Sequence, residues 1–139
     1  MEQKDLLREK EQNHKKIIEE YFKLVSAGKF KDGLRFFSPN CKTHNPFLVG
    51  NMNALIDAMI AANKEYGPKY PEAQFSLKYL LADGDLVAAY TQLVGSPSKP
   101  GEGGIRQMHL FRFEGDIIVE YWDVTQQILP NMPNAGQSL

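Results

Sequence analysis

The stretch Ile105–Gln126, IRQMHLFRFEGDIIVEYWDVTQ, reads as two β-strands joined by a tight turn. Isoleucine, valine, phenylalanine, tyrosine and tryptophan populate both halves, and Glu114-Gly115-Asp116 supplies the turn chemistry between them. The hairpin carries His109, which is one of three histidines, Trp122, the single tryptophan, and Asp123 inside an apolar run. Two registers are open. With a three-residue connection Phe113 faces Ile117 and His109 faces Tyr121. Asp123 is then a diagonal neighbour of His109 at roughly 7–8 Å and shares its side with Gln107, Phe111 and Tyr121. With a two-residue connection at Gly115-Asp116, His109 faces Trp122 and Asp123 points to the other side.

Upstream the period is also two. Phe75, Leu77, Tyr79 and Leu81 alternate with Gln74, Ser76 and Lys78, Asp83-Gly84-Asp85 is a hairpin turn, and Leu86 to Val94 forms the returning strand. Residues 95–104, GSPSKPGEGG, read as a loop. Earlier in the chain the period is 3.6. Residues 2–27 read as a long amphipathic helix with Ile17, Tyr21, Leu24 and Val25 as its stripe, widened by Ile18 and Phe22, and Gly28 ends it. Its first turns, up to about His14, are almost all polar; they are expected to fray or project, with His14 a solvated surface residue. Lys31 to Phe37 suit a second, short helix stopped by Ser38-Pro39-Asn40, and Cys41 to Asn45 a short extended piece. A third helix, capped by Asn51 or Asn53, runs to about Tyr66 with Leu55, Ile56, Met59, Ile60 and Asn63 on its inner stripe. The tail LPNMPNAGQSL shows no periodicity.

Helices first and antiparallel strands second make the fold class α+β. Three N-terminal helices pack on one face of a strongly curved, mainly antiparallel sheet, forming a cone with an internal pocket. One domain spans 1–139. Sixteen basic and seventeen acidic residues leave a net charge of −1, so no basic excess supports nucleic-acid binding. Cys41 is the single cysteine, which suits a reducing cytoplasm. No apolar run approaches the roughly 20 residues of a membrane span, and the charged N-terminus lacks the apolar segment of a signal peptide.

An aspartate in an apolar strand either sits at the sheet's end, exposed or bonded to backbone, or is desolvated. A desolvated carboxylate has a raised pKa and is suited to take and return a proton on carbon next to a carbonyl. A nearby histidine would orient it or share the proton. His44 leads the HNPF loop and either lines the same cavity or caps the turn. Arg112 and Glu120 are expected to pair across the opposite sheet surface. No metal is expected, because His44, His109 and Asp123 lack further ligands at sensible spacing.

Three stretches carry a family resemblance: THNPFLVGNMNALIDAM at 43–59, ADGDLVAAYTQLVG at 82–95 and HLFRFEGDIIVEYWDVTQQILPN at 109–131. They are similar to the pattern QHNP…G, EGDLVAVH and D-x-FR-x-(E)DGKIVEHWDV-x-Q of the SnoaL-like polyketide cyclases, within the nuclear-transport-factor-2-like (cystatin-like α+β) superfamily. The resemblance implies a homodimer, a deep apolar pocket in each subunit, and an aspartate as acid/base for aldol closure without metal or cofactor. The matching aspartate is Asp123 of EYWD, with His109 as its catalytic partner. His44, Tyr90, Gln107, Phe111, Tyr121 and Met59 are the expected substrate-binding residues. Three positions depart from the pattern: Tyr121 replaces the EHWD histidine, His109 the aspartate before x-FR, and Tyr90 the histidine after LVAV. The expected activity is that of a lyase or isomerase acting on a small hydrophobic carbonyl compound. The alternatives are a non-catalytic binder of such a ligand and a dimerisation module.

Overall fold

A computed structural model describes residues 2–95, 104–129 and 131–139; residues 96–103 of the expected loop lie outside the described residues. Helix α1 runs Glu2–Ser26, a 3-10 helix Lys31–Phe36, strand β1 Phe37–Thr43 and helix α2 Met52–Tyr66. Strands β2 Gln74–Asp83, β3 Leu86–Val94, β4 Gly104–Glu114 and β5 Ile117–Ile128 follow, then a short 3-10 turn, Ala135–Gln137. The expected second helix is thus a 3-10 helix. The five strands form one sheet in the order β1-β5-β4-β3-β2. It is α+β, with the helices on the concave face of a curved, unclosed sheet.

Two departures from the sequence reading shape that sheet. The extended piece before the HNPF loop begins earlier, at Phe37, and pairs parallel to β5 as an edge strand. Its register slips between Phe37 and Lys42, around Pro39, which has no N–H to donate to a ladder. The second departure is in the opening hairpin. Its turn has two residues, with Glu114 opposite Ile117, and Gly115 takes the left-handed φ of 59° that such a turn requires. Alone, that turn would put His109 opposite Trp122. The register shifts between Arg112 and Phe113, where Val119 is the extra residue on β5. This bulge restores the even parity, and His109 stands directly opposite Asp123. The two share a face in a register that neither turn length alone provides.

The core fills the concave side. Ile18, Tyr21 and Phe22 of α1 meet Phe111 and Phe113 of β4, Ile118 and Tyr121 of β5, and Met52, Leu55 and Ile56 of α2. The polar first half of α1 does not project. Its side chains grip both hairpin tips: Lys10 pairs with Asp85, Glu11 Oε2 accepts from Gly84 N at 2.8 Å, and Asn13 Nδ2 donates to Asp116 Oδ1 at 2.8 Å. His14, expected at the surface, is 1% exposed. Its ring stacks on Phe113 with centroids 4.0 Å apart, and its Nε2 lies 2.8 Å from Gly115 O. A carbonyl can only accept, so Nε2 carries the proton; Nδ1 is left buried without a partner. His14→Ala is expected to cost about 2–3 kcal/mol, from lost packing plus one buried hydrogen bond, read as a lower urea midpoint at neutral pH.

Candidate functional site

Strand alternation sorts the candidate residues. On β4 the odd positions Gln107, His109 and Phe111 face the helices, and on β5 Tyr121 and Asp123 lie opposite Phe111 and His109. Phe111 is fully buried, Tyr121 is 3% exposed and His109 6%. Along β5 the same face then opens. Tyr121 is buried, Asp123 half-buried, and Thr125 and Gln127 exposed. Asp123 therefore stands where the packed aromatic core meets solvent.

His109 reaches two hydroxyls. Its Nδ1 lies 2.7 Å from Tyr121 Oη and its Nε2 2.8 Å from Thr91 Oγ1 on β3. Its ring packs against Phe22 with centroids 5.1 Å apart. Burial pushes its pKa down to about 4, so the ring is neutral at neutral pH. The carboxyl of Asp123 is shifted the other way. Desolvation raises it, while hydrogen bonds from Asn45 and Tyr121 oppose the rise. Asn45 Nδ2 donates to Asp123 Oδ2 at 3.0 Å. Its Oδ1 accepts from Phe47 N at 2.9 Å, which fixes the HNPF turn. Tyr21 brings a further buried hydroxyl from α1. Burial, then the charge of Asp123, raises its pKa, so it stays a neutral phenol. Tyr121 is raised likewise, burial first.

His44 and Tyr90 do not join this group. The His44 backbone N–H donates to Tyr121 O at 2.9 Å, continuing the β1–β5 ladder. Its side chain turns to the convex face, where the ring stacks on Trp122 at 4.8 Å and Nε2 lies 2.7 Å from Glu120 Oε2. Glu120 also accepts from Arg112 Nε at 3.0 Å, the expected cross-strand pair. Its pKa is lowered, by the His44 hydrogen bond first. Tyr90 pairs with Met108 on the same convex face and stacks on Tyr79 at 6.0 Å. Alternation along the strands puts Tyr90 and the ring of His44 on the face away from Asp123. Met59 is partly buried against the core. Gln107 Nε2 donates to Thr125 Oγ1 at 3.0 Å. Tyr21, Asn45 and Thr91 complete the group, and the sequence reading had assigned none of them to it.

Three cavities open away from His109 and Asp123, which line none of the three. The largest, about 500 Å³, lies among Phe30, Lys31, Ile60 and Lys64; the others, about 200 and 190 Å³, lie by Phe22 and Phe75 and by Leu34 and Met52. Around His109 the concave face is instead filled by the rings of Phe22, Phe111 and Tyr121. Among the described residues no group of three or more His, Cys, Asp or Glu side chains could hold a metal ion. Among the described residues no helix is long and apolar enough to cross a membrane.

A SnoaL-like domain matches residues 18–121. The chain belongs to the SnoaL-like family. The match ends two residues before Asp123. Among curated proteins none matches. Solved structures share the fold at low identity. AclR from Streptomyces galilaeus, named provisionally as a hydroxylase, is 18% identical at a TM-score of 0.67, covering 84% of this chain and 80% of its own. IdmH from Streptomyces antibioticus, named provisionally as a polyketide cyclase, is 14% identical at 0.63, covering 81% and 91%. A steroid delta-isomerase from Pseudomonas aeruginosa is 16% identical at 0.57, covering 82% and 80%. On this SnoaL-like cone the aspartate and histidine are brought face to face by one bulge.

The buried histidine makes stability depend on pH. In the unfolded chain His109 binds a proton below its ordinary value of 6.5; folded, it does so only below about 4. The unfolded state thus binds more protons between these values, so this contribution is complete above pH 6.5 and is lost as pH falls toward 4. At 1.36 kcal/mol per pKa unit the loss is about 3 kcal/mol. Asp123, shifted upward, opposes it by gaining stability as pH falls. Urea midpoints at pH 7.5 and 4.5 are expected to differ less in His109→Gln than in the wild type.

Proposed function

We propose that this SnoaL-like protein is a cofactor-free lyase or isomerase acting on a small hydrophobic carbonyl compound. The observation that carries the reading is Asp123: a desolvated carboxyl at the boundary between aromatic core and solvent, held by Asn45 and Tyr121 with the neutral phenol of Tyr21 nearby. The ionised carboxylate takes a proton from carbon next to the carbonyl. The C–H electron pair becomes the enolate double bond, and the carbonyl oxygen takes the charge. Tyr21, a neutral O–H in the field of Asp123, is the donor for that oxygen. Asp123 then returns the proton, to another carbon in an isomerisation or to the alkoxide formed in an aldol closure. Gln107, Phe111 and Tyr121 share its face, and Met59 borders the core on the helix side.

The test is deuterium wash-in next to the carbonyl of 2-tetralone in D2O, followed by proton NMR. Exchange by the wild type that Asp123→Asn lacks supports the reading. A second reading is a ligand binder without chemistry: Phe111 and Tyr121 share the face of Asp123, which suits an apolar compound whether or not a proton moves. Binding of 2-tetralone without exchange would put it first.

The convex face suggests how copies assemble. Tyr79, Leu81, Met108 and Val124 are 70, 71, 52 and 69% exposed there, and exposed apolar residues grouped on one face often mark an interface. A second copy presents the same patch, so a two-fold homodimer buries both. Val124→Lys is expected to shift the protein to monomer in sedimentation velocity. The buried single thiol, Cys41, suits a cytoplasmic location.

A further inference from the structure

Both ring nitrogens of His109 meet a hydroxyl, Tyr121 Oη at 2.7 Å and Thr91 Oγ1 at 2.8 Å. A neutral imidazole has one N–H, so the chain of hydrogen bonds has two orientations. In the first, Thr91 donates to Nε2, Nδ1–H donates to Tyr121, and the Tyr121 hydroxyl turns to Asp123, its partner two residues on along the same face of β5. In the second, Tyr121 donates to Nδ1, Nε2–H donates to Thr91, and Thr91 donates to Gln107 Oε1, 3.4 Å away. With Asp123 ionised, the first orientation gains a charge-assisted hydrogen bond, roughly twice as strong as a neutral one. The second ends in a long neutral bond and leaves the carboxylate without the Tyr121 proton. With Asp123 protonated the preference reverses. The acid's own O–H donates to Tyr121 Oη, and Tyr121 turns its proton to Nδ1.

We propose that Thr91, acting through His109, directs the Tyr121 proton according to the charge on Asp123, with the His109 tautomer changing as Asp123 gains or loses its proton. The inference rests on the reading of Asp123 as the group that takes and returns a proton. The proton count is simple. When Asp123 takes one from carbon, the network gains that one alone. The ring proton leaves Nδ1 and another arrives at Nε2 by exchange with water, so the imidazole is neutral before and after. Both forms of Asp123 are then fully hydrogen-bonded, which suits a group that must act as base and then as acid. Thr91 is fully buried on β3 and is a positioning residue. The titratable groups facing this cluster are Tyr21 from α1, His109 from β4, and Tyr121 and Asp123 from β5.

The experiment is long-range proton–nitrogen NMR on the full chain with nitrogen-15 histidine, from pH 4.5 to 8. His109 is assigned by its loss in His109→Gln, and Asp123 ionisation is read from its carboxyl carbon-13 shift. The expected result is an Nε2–H ring that becomes Nδ1–H with the same midpoint as Asp123. Thr91→Val is expected to uncouple the two midpoints, and Thr91→Ser to restore the coupling. A single His109 tautomer across the whole Asp123 titration in the wild type overturns the proposal, and that result needs no variant to fold. Thr91→Val with coupling intact overturns the role of Thr91. The two readings fail separately: undiminished 2-tetralone exchange in Asp123→Asn removes Asp123 as the base, whereas the tautomer is read without substrate.

Discussion

Asp123→Asn is expected to slow deuterium exchange at the carbon next to a carbonyl by about 10²–10⁴-fold, the usual contribution of a positioned general base. The amide is nearly the same size and its carbonyl oxygen still accepts from Asn45, so the fold and the HNPF turn are retained. What it lacks is a proton acceptor of sufficient basicity. The wild-type rate should also carry the signature of desolvation. The base is the ionised form, and burial raises the pKa of Asp123 above the ordinary carboxylate value. The rate therefore rises with pH through a midpoint above that of a free aspartate and levels off once the carboxyl is ionised. A rise centred on the ordinary value, 3.8 for this group, would mean that solvent and not burial sets the reactivity. His109, pushed down to about 4, does not titrate near neutrality, so a second limb close to pH 6.5 would point to a different base.

Most of the architecture was legible because periodicity is local. The change from period 3.6 to period 2 after Tyr66 separates helices from strands, and the Gly84 and Gly115 turns mark both hairpins. What escaped was non-local. Strand β1 pairs with β5 about eighty residues away, and Pro39 disguised it as a helix stop. The grip of Lys10, Glu11, Asn13 and His14 on the hairpin tips likewise depends on residues seventy to a hundred positions distant, so polarity alone read as exposure. At the site, His109 and Asp123 share a face by way of the bulge at Val119, and no residue of the IIVE run announces a bulge. Thr91 carried a usable signal: it alternates with Val87 and Ala89 along the buried face of β3, a polar residue in an apolar row. Tyr21 carried one too, a hydroxyl on the apolar stripe of α1. Asn45 carried none beyond its turn chemistry.

The core that holds this site in place gives the other large effect. Phe111 is fully buried, and its ring lies 5.0 Å from Tyr121, 6.0 Å from Phe22, 6.0 Å from His109, 6.2 Å from Tyr21 and 6.4 Å from Phe37. It is the ring around which His109 and both buried phenols are ordered. Phe111→Ala removes its transfer free energy and leaves a void that neighbours on a rigid sheet fill only in part. The expected cost is about 3–5 kcal/mol, against a typical total of about 5–15 kcal/mol for a domain. For a chain of this length that lowers Tm by roughly 10–20 °C. Phe111→Leu keeps most of the volume and should cost about 1–2 kcal/mol. If calorimetry found Phe111→Ala within a few degrees of the wild type, the concave face would have to be loosely packed at its centre. The void would lie against His109, so small apolar molecules should bind Phe111→Ala and raise its Tm while leaving the wild type unaffected. That result would show that the space occupied by Phe111 is continuous with the face on which His109 and Asp123 meet.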